Sequence, residues 1–315
     1  MKSLTKYGIV MVVSLAAIIL ISADEKEKLH VIRIDNTKSI KDFFAYSPDR
    51  IPFVSAHRGG PLKGFPENSI ATFENTLSKV HSLLEIDPHY TKDGAMILMH
   101  DATLERTSTG HGKVIEYTLK ELQELKLKDT EGNITPYSIP TLDETLEWAK
   151  GKTILVLDEK DVPMEMRVKK VQEHHAQAST IIMAYTLDDA KKCYSLDKSI
   201  VMEVMLGTVE KVIAFDASGV PWQNVVVFIN HNLITDPAIF NEIHKRGAMC
   251  IVGSSRNYDV KYSKGEIKTF EELSKSYNSM IGYGADIIEA DLAIEAGTAL
   301  QPALTASSSK AKYFK

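Results

Sequence analysis

Short apolar runs rich in β-branched residues recur along the chain from about residue 51, and helical stretches separate several of them. This alternation is typical of βαβ units, in which helices connect parallel strands. Several runs are apolar almost throughout, as expected for strands buried on both faces, so the pattern predicts a parallel α/β sheet. Nine runs are candidate strands, at residues 52–56, 84–90, 96–100, 154–158, 180–184, 201–205, 225–229, 249–253 and 286–289.

Apolar positions at helical spacing predict helices over residues 70–83 and 237–245, which would cover the outside of that sheet. The turn at residues 91–94 joins two candidate strands without room for a helix, so we expect one of the nine runs to be short or peripheral. A predicted helix over 119–127 and a polar stretch after it interrupt the alternation. We therefore interpret residues of about 101–140 as an insertion.

The two ends of the chain differ in composition from the rest. An uncharged apolar run follows Lys2 and Lys6 and ends in small residues at position 23, which is typical of a secretory signal peptide. Because the run approaches the length of a spanning helix, cleavage and retention as an N-terminal anchor both stay open. We expect an exported protein, periplasmic or extracellular, that lies near a membrane if the segment is retained. Residues 24–47 form an N-terminal extension, and we expect residues 301–315 to be a polar tail that frays.

Composition narrows the class of protein. The chain is 44% hydrophobic and 25% charged, which indicates a globular fold, either one large barrel or two smaller units. It carries 37 Lys and Arg against 42 Asp and Glu with no basic run, so we expect no nucleic-acid partner. With only Cys193 and Cys250, a disulfide framework and a Cys-rich zinc site are excluded, leaving one disulfide or two buried thiols.

Acidic residues occur at or near the carboxyl ends of the predicted strands, where the loops of a parallel barrel build an active site. Glu85 and Asp87 alternate along one strand, so both carboxylates project to the same side. Two such acids need a cation between them or the loss of one charge, and Ca²⁺ and Mg²⁺ prefer oxygen ligands of this kind. Asp158 could supply a third oxygen. A solvated acid pair at a strand end is the alternative.

Basic residues follow the same strands. His57 and His100 are candidate proton carriers, because imidazole titrates near neutral pH. Arg58 and Lys160 suit a phosphate group, although they could instead pair with the neighbouring acids. We interpret the remaining histidines as ordinary hydrogen-bonded surface or core residues: His30, His81, His89, His111, His174, His175, His231 and His244.

Six short motifs follow one another in order: His57-Arg58-Gly59, residues 66–69 (Pro-Glu-Asn-Ser), Glu85-x-Asp87, residues 91–94, His100-Asp101 and residues 104–112. This order resembles the glycerophosphodiester phosphodiesterase family, and the resemblance continues to a closing segment at 284–291. It implies a TIM-type (β/α)8 barrel over residues 48–300 with a small insertion. It also implies a bound divalent cation, Ca²⁺ or Mg²⁺, and a small-molecule substrate, a glycerophosphodiester hydrolysed to glycerol 3-phosphate and an alcohol.

The resemblance also implies roles for individual residues. The catalytic pair would be His57 and His100. Arg58 and Lys160 would contact the phosphate, and Glu85 and Asp87 would be the first two metal ligands. Asp158 falls where the family more often has a Glu as third metal ligand, and Glu67 would support the metal side from a second layer. Ser69 stands where the family usually has a Thr.

Two features leave the specificity open. Residues 253–257 lack the Trp that many relatives carry there, and Glu203 is an unusual polar residue in a strand, so the preferred alcohol does not transfer. Two other functions stay open at this point. One is a phospholipase D-like enzyme that acts on lysophospholipids, and the other is a barrel that binds glycerophosphodiesters without cleaving them.

Overall fold

The computed structural model describes residues 28–315, which form ten strands and eleven α-helices. The strands are β1 (Phe53–Ala56), β2 (Ser82–Ile86), β3 (Pro88–Tyr90), β4 (Met96–Leu98), β5 (Leu155–Leu157), β6 (Thr180–Ala184), β7 (Val201–Met205), β8 (Val225–Phe228), β9 (Cys250–Gly253) and β10 (Ile287–Ala290). The helices are α1 (Thr37–Phe44), α2 (Ile70–Lys79), α3 (Leu119–Gln123), α4 (Leu142–Ala149), α5 (Met164–Glu173), α6 (Leu187–Leu196), α7 (Val209–Phe215), α8 (Ala238–Lys245), α9 (Tyr258–Ser263), α10 (Phe270–Tyr283) and α11 (Ala293–Leu300).

Eight strands close into a parallel barrel in the order β1-β10-β9-β8-β7-β6-β5-β2, which confirms the predicted TIM-type (β/α)8 fold. Of the nine predicted runs, the one over 96–100 is peripheral, because β4 pairs with β3 in a separate antiparallel ribbon. The predicted run over 84–90 is divided between β2 and β3. Pro88 stands at the division, and its missing N–H cannot continue a central ladder.

Alternate residues along each barrel strand face two different apolar layers. On β7, Met202 and Val204 belong to the outer layer under the helices, whereas Val201 and Met205 pack inside the barrel. By this alternation Glu203 points into the barrel. Burial on both faces is the reason why these strands are apolar almost throughout.

Two predicted helices are shorter than their apolar spacing suggests. Helix α2 ends at Lys79, because Val80 is extended and the leucines after it enter β2. Helix α3 covers only residues 119–123 of the predicted 119–127. The α8 prediction, by contrast, differs from the structure by one residue. Short apolar segments fit both periodicities, and here tertiary packing decides between them.

The insertion over about 101–140 has a small apolar cluster of its own. Leu104, Val114, Leu122 and Leu127 are buried there together with Ile97 of β4. The β3–β4 ribbon therefore connects this segment to the barrel, close to the carboxyl end of β2.

The chain segments before β1 and after α11 close the amino-terminal end of the barrel. Phe43 of α1 packs against Phe53 and Tyr313 with ring centroids 5.3 Å apart in each pair. The backbones of Val31 and Lys315 exchange hydrogen bonds of 3.0 and 2.9 Å. The expectation of a fraying tail is therefore wrong for the last residues, because two aromatic anchors, Tyr313 and Phe314, bury themselves under the barrel.

The apolar segment predicted as a signal peptide or anchor lies outside the described residues. Within residues 28–315, no helix combines the length and the apolar character that crossing a bilayer would require. Cys193 and Cys250 are both buried free thiols, so the second of the two predicted options holds.

Candidate active site

The carboxyl ends of the barrel strands surround a cleft of about 560 Å³. Six residues singled out from the sequence line it: His57, Arg58, Glu85, His100, Asp158 and Lys160. The other two, Glu67 and Asp87, contact these residues directly. The structure therefore brings the two histidines and three acids, which are far apart in the chain, into one mouth.

Three carboxylates meet on one wall of this cleft. One oxygen each from Glu85, Asp87 and Asp158 lies within 4.8 Å of the others, and all three residues are buried. Glu85 and Asp87 point inward because they flank Ile86, which packs outward, and Asp158 follows the adjacent strand β5. Burial and the charges of Asp87 and Asp158 hold the pKa of Glu85 well above its usual range. Burial and the neighbouring acids therefore favour the uncharged form of Glu85.

Lys160 is the cation nearest to these acids. Its Nζ lies 2.9 Å from Asp87 Oδ1 and 2.5 Å from Asp158 Oδ2. Burial would lower the pKa of Lys160, but the charges of the two carboxylates outweigh it, so this pKa lies above its ordinary value. Lys160 is thus a fixed positive charge that contacts the acids, as the alternative interpretation of the sequence anticipated.

Asn68 holds Asp87 in place. Its Nδ2 donates a hydrogen bond of 2.6 Å to Asp87 Oδ2, and its Oδ1 accepts one of 3.0 Å from the Asp87 backbone N–H. Asn68 adopts a left-handed φ of 56°, which Asn tolerates better than most residues. Burial would raise the pKa of Asp87, but Lys160 and Asn68 outweigh it, so this pKa lies below its ordinary value.

The turn after β1 fixes Arg58. Its backbone N–H donates to Glu85 Oε2 at 2.7 Å, and its Nη1 lies 3.3 Å from Glu67 Oε2. Gly59 follows with φ +84°, and a Cβ there would stand 2.4 Å from the Phe73 ring. The close packing of α2 against this turn therefore requires glycine and holds the turn at the cleft.

His100 belongs to a chain of charged hydrogen bonds that begins in the insertion. Its Nδ1 lies 2.8 Å from Asp101 Oδ1, and Arg106 Nε donates to Asp101 Oδ2 at 2.6 Å. Arg106 also binds Glu67 bidentately, with both distances 2.8 Å. Hydrogen bonds from Arg106 hold the pKa of Asp101 well below its usual range. The motif over 104–112 includes Arg106, but its spacing gave no sign of this contact.

Asp291 orients His57, a contact for which the sequence assigned no residue. Asp291 Oδ1 lies 2.6 Å from His57 Nδ1, because β10 pairs with β1 and both strands end at the cleft. Burial would lower the pKa of His57, but the hydrogen bond to Asp291 and the charge of Glu289 outweigh it, so this pKa lies above its ordinary value. The adjacency of the first and last strands in a closed barrel could have pointed to Asp291.

Two further acids lie inside the barrel. Burial raises the pKa of Glu289 to about 7, although His57 opposes the shift. Glu203 is fully buried, and within residues 28–315 neither of its carboxyl oxygens has a hydrogen-bond partner. Burial and the charge of Glu289 hold the pKa of Glu203 well above its usual range. The barrel interior therefore favours the uncharged form of Glu203.

The opposite wall contains His231, which the sequence analysis grouped with the ordinary hydrogen-bonded histidines. Its ring lines the cleft with Nδ1 at 3.2 Å from Ser255 Oγ. Burial, helped by Arg256, lowers the pKa of His231 to about 4, so the imidazole is neutral at physiological pH. No motif surrounds position 231, so only the position of β8 in the barrel reveals it. Tyr185 is another unpredicted lining residue, and its hydroxyl donates to Asp158 Oδ1 at 2.5 Å.

A second group of potential metal ligands in the described residues consists of His244, Cys250 and Asp286. It lies at the amino-terminal ends of β9 and β10, away from the cleft. Asp286 accepts hydrogen bonds from His244 Nε2 at 2.9 Å and from the Cys250 backbone N–H at 2.8 Å, and it forms an ion pair with Arg50. Since Asp286 already has these partners, we interpret this group as a structural connection.

Comparison with known proteins connects this geometry to one family. Residues 57–262 match the Glycerophosphoryl diester phosphodiesterase family. A crystal structure of a glycerophosphoryl diester phosphodiesterase from Parabacteroides distasonis is 40% identical, covers 91% of this chain and 99% of that chain, and superposes with a TM-score of 0.86.

Two sequence relatives are more distant. A glycerophosphodiester phosphodiesterase from Caldanaerobacter subterraneus is 34% identical over 150 residues, which span 44% of this chain and 61% of that protein. One from Bacillus subtilis is 25% identical over 258 residues, which span 69% of this chain and 87% of that protein.

Proposed function

Because the chain belongs to the glycerophosphoryl diester phosphodiesterase family, we propose that it hydrolyses glycerophosphodiesters to glycerol 3-phosphate and an alcohol, using a divalent cation and two histidines. The observation that supports this proposal most directly is the meeting of His57, His100 and the three-acid wall in one cleft. These two histidines and three acids come from four different strands or loops, so their convergence is a property of the fold rather than of local sequence.

The three-acid wall fits a hard divalent cation, Ca²⁺ or Mg²⁺. Glu85, Asp87 and Asp158 offer oxygen donors within 4.8 Å of one another, which is the ligand chemistry that such ions prefer. Asp87 is held by Asn68, as ligand carboxylates usually are by an outer hydrogen bond. When bound, the cation would polarise a phosphodiester oxygen and screen its charge. Asp158, which has a shorter side chain than the family's usual Glu, would be the third carboxylate to hold the ion.

Two basic side chains would bind the phosphodiester anion beside this wall. Lys160 and Arg58 both line the cleft, and each is anchored by a neighbouring acid. Arg58 can bind phosphate oxygens bidentately, whereas Lys160 acts as a point charge. Their fixed positions would stabilise the negative charge that develops on phosphorus-bound oxygens in the transition state.

The two histidines would move the protons. One removes a proton from the nucleophile, either water or the glycerol 2-hydroxyl of the substrate, and the other donates a proton to the leaving alcohol. Each ring has its Nδ1 at a carboxylate, Asp291 for His57 and Asp101 for His100, so Nε2 is the nitrogen that can meet the substrate. The carboxylates fix both rings in orientation.

The test compares single variants of purified residues 24–315 on several glycerophosphodiesters, following release of glycerol 3-phosphate with Ca²⁺, Mg²⁺ or EDTA. We expect His57→Ala and His100→Ala each to lose about 100-fold or more in kcat, since general acid–base catalysis contributes about that much. His111→Ala is the matched control, because His111 is exposed in the insertion. Parental rates in both cleft variants would refute the assignment.

Cation binding is measured separately by the metal-dependent rise in Tm. We expect Ca²⁺ or Mg²⁺ to raise the Tm of the parent and not of Asp87→Asn, because a ligand that binds only the folded state stabilises it. Two further measurements test the alternative functions: turnover of a lysophospholipid, and binding of an intact diester during a long incubation. Turnover of the lysophospholipid alone would favour a phospholipase D-like enzyme, and saturable binding without cleavage would favour a binding protein.

A further inference from the structure

The strand order places one wall of the cleft opposite the three-acid wall. Strands β8 and β9 each lie four places round the barrel from β2 and β5, respectively, which position the acids. The polar residues after β8 and β9 that line the cleft are Asn230, His231, Ser255 and Arg256, here called the far wall. If the phosphodiester binds at the acids, one of its two alcohol groups extends towards the far wall.

Packing and hydrogen bonds hold the two loops of the far wall together. Gly253 leaves the space that the His231 ring fills, since a Cβ on Gly253 would stand 2.2 Å from His231 Nδ1. Asn257 Nδ2 donates to the backbone oxygens of His231 at 2.8 Å and of Gly253 at 2.9 Å, which ties the two loops together. The imidazole and Ser255 are thereby held in fixed positions at the cleft.

Arg256 gives this wall a positive charge. It is exposed, lines the cleft, and has no hydrogen bond or ion pair with any residue of the described part of the chain. The nearby acids are already accounted for, because Asp291 is bonded to His57 and Glu289 is buried beneath His231, 3.8 Å from its Nδ1. The guanidinium is therefore a hydrogen-bond donor group that faces the cleft without an acidic partner.

Part of the cleft lining is apolar. Met183, Met205 and Phe228 belong to β6, β7 and β8, which lead round the barrel from β5 to the far wall. An alcohol group on this side of the cleft would pass these side chains and end at a neutral imidazole, a hydroxyl and a guanidinium. Such a set of donors suits a carboxylate, which guanidinium binds bidentately, and it disfavours a cationic end group.

We propose that the far wall is the subsite for the leaving alcohol and that Arg256 selects an alcohol bearing a carboxylate. This inference rests on the proposed function, because it assigns the substrate class of the same cleft. Glycerophosphoserine and glycerophosphoethanolamine form a matched pair for its test, since they differ only in one carboxylate.

The experiment measures kcat/KM for both diesters with the parental enzyme, Arg256→Gln and Arg256→Lys. We expect the parent to prefer the serine diester, and the serine-to-ethanolamine ratio to fall about fivefold in Arg256→Gln, which is the upper range for one solvent-exposed ion pair. Arg256→Lys keeps the charge and should retain part of the preference. Arg33→Gln is the matched control, because Arg33 is exposed at the closed end of the barrel and should leave the ratio unchanged.

The two proposals fail in different ways. If both diesters are hydrolysed and the ratio is the same in the parent and in Arg256→Gln, the far-wall assignment is overturned and the proposed function stands. If the parent with Ca²⁺ or Mg²⁺ hydrolyses neither diester nor any other glycerophosphodiester, the proposed function fails and takes this inference with it.

Discussion

Each of the two cleft histidines has its own carboxylate, but the two pairs differ in what else the acid contacts. Asp101 is shared between His100 and Arg106, so its charge is largely compensated. Asp291 has its short side-chain contact with His57, at 2.6 Å. The charge of Asp291 therefore acts mainly on His57, where it favours the protonated imidazole together with Glu289 and against burial.

Asp291→Asn should lower the pKa of His57. The carboxylate raises this pKa by stabilising the imidazolium, so its loss moves the His57 limb of the pH–rate profile to lower pH, together with a fall in kcat of about 10-fold or more. The same shift should appear in an NMR titration of His57. Asp188→Asn on α6 is the control, because that side chain is 95% exposed. An unchanged His57 titration would contradict the orienting role of Asp291.

At this scale, the sequence predicted the residues that sit in local motifs and missed those that depend on closure of the barrel. His57, Glu85 and Asp158 each follow or occupy a recognisable apolar strand, so their position at the carboxyl end could be predicted. Asp291 follows β10 and His231 follows β8, so they reach the cleft beside His57 and opposite the acids only once the strands are arranged in a ring. The residues that complete the site are therefore the ones with no signal in the linear spacing.

At the scale of elements, β7 is the exception among the barrel strands, because it buries an acid without a partner. Glu203 lies between Val201 and Met205 on the inward face, next to Met183 of β6 and Val226 of β8. An uncharged carboxyl group without a hydrogen bond is costly in such surroundings, and an ionised one more so. The strand forms nevertheless, because its other residues bury apolar surface on both faces.

Glu203→Gln should stabilise the protein increasingly as the pH rises. The folded-state pKa of Glu203 is raised, while the unfolded chain ionises near pH 4.3, so the parent loses free energy of unfolding above that pH as the unfolded state releases the proton. The variant has no such loss, so its gain in free energy of unfolding over the parent is small at pH 4 and larger at pH 8.

Urea unfolding at both pH values, in EDTA, measures this difference. Glu271→Gln in α10 is the control, because its side chain is 78% exposed. A gain that is equal at pH 4 and pH 8, or a loss at pH 8, would show that folding does not raise the pKa of Glu203.

The strands themselves were predictable because burial on both faces gives a strong signal in the sequence. The residues at which strands and helices begin and end were harder to predict. Residues 82–84 satisfy both the helical stripe of α2 and the alternation of β2, and only their contacts with β1 decide for the strand. The composition of β4 is that of a buried barrel strand. Its only local sign of leaving the barrel is the short turn before it, which leaves no room for a crossover to a parallel strand.

The whole molecule separates stability from chemistry along the barrel axis. The cleft lies at the carboxyl ends of the strands, whereas α1 and residues 310–315 close the other end with an aromatic cluster. The expectation of a polar tail failed because composition averages over a segment, while two aromatic residues among fifteen decide whether that segment packs. The predicted export of the protein, which concerns residues 1–23, stays a prediction.

Phe314→Ala should destabilise the protein without changing its chemistry. Phe314 packs against Phe53 at 5.7 Å and against Phe43 at 5.9 Å, and truncation of a buried Phe costs roughly 3 kcal/mol. We expect a lower Tm with kcat/KM per folded molecule unchanged. Leu304→Ala is the control, because Leu304 is 37% exposed in the same segment. A change in kcat/KM at temperatures where the variant is fully folded would show that the two ends communicate.

The hydrogen-bonded pair of Val31 and Lys315 has a practical consequence. Both ends of the described chain leave the molecule on the side remote from the mouth. A bead, a reporter domain or a lipid attached through either end would therefore face the sealed base, and dissolved diesters could still diffuse freely into the opening.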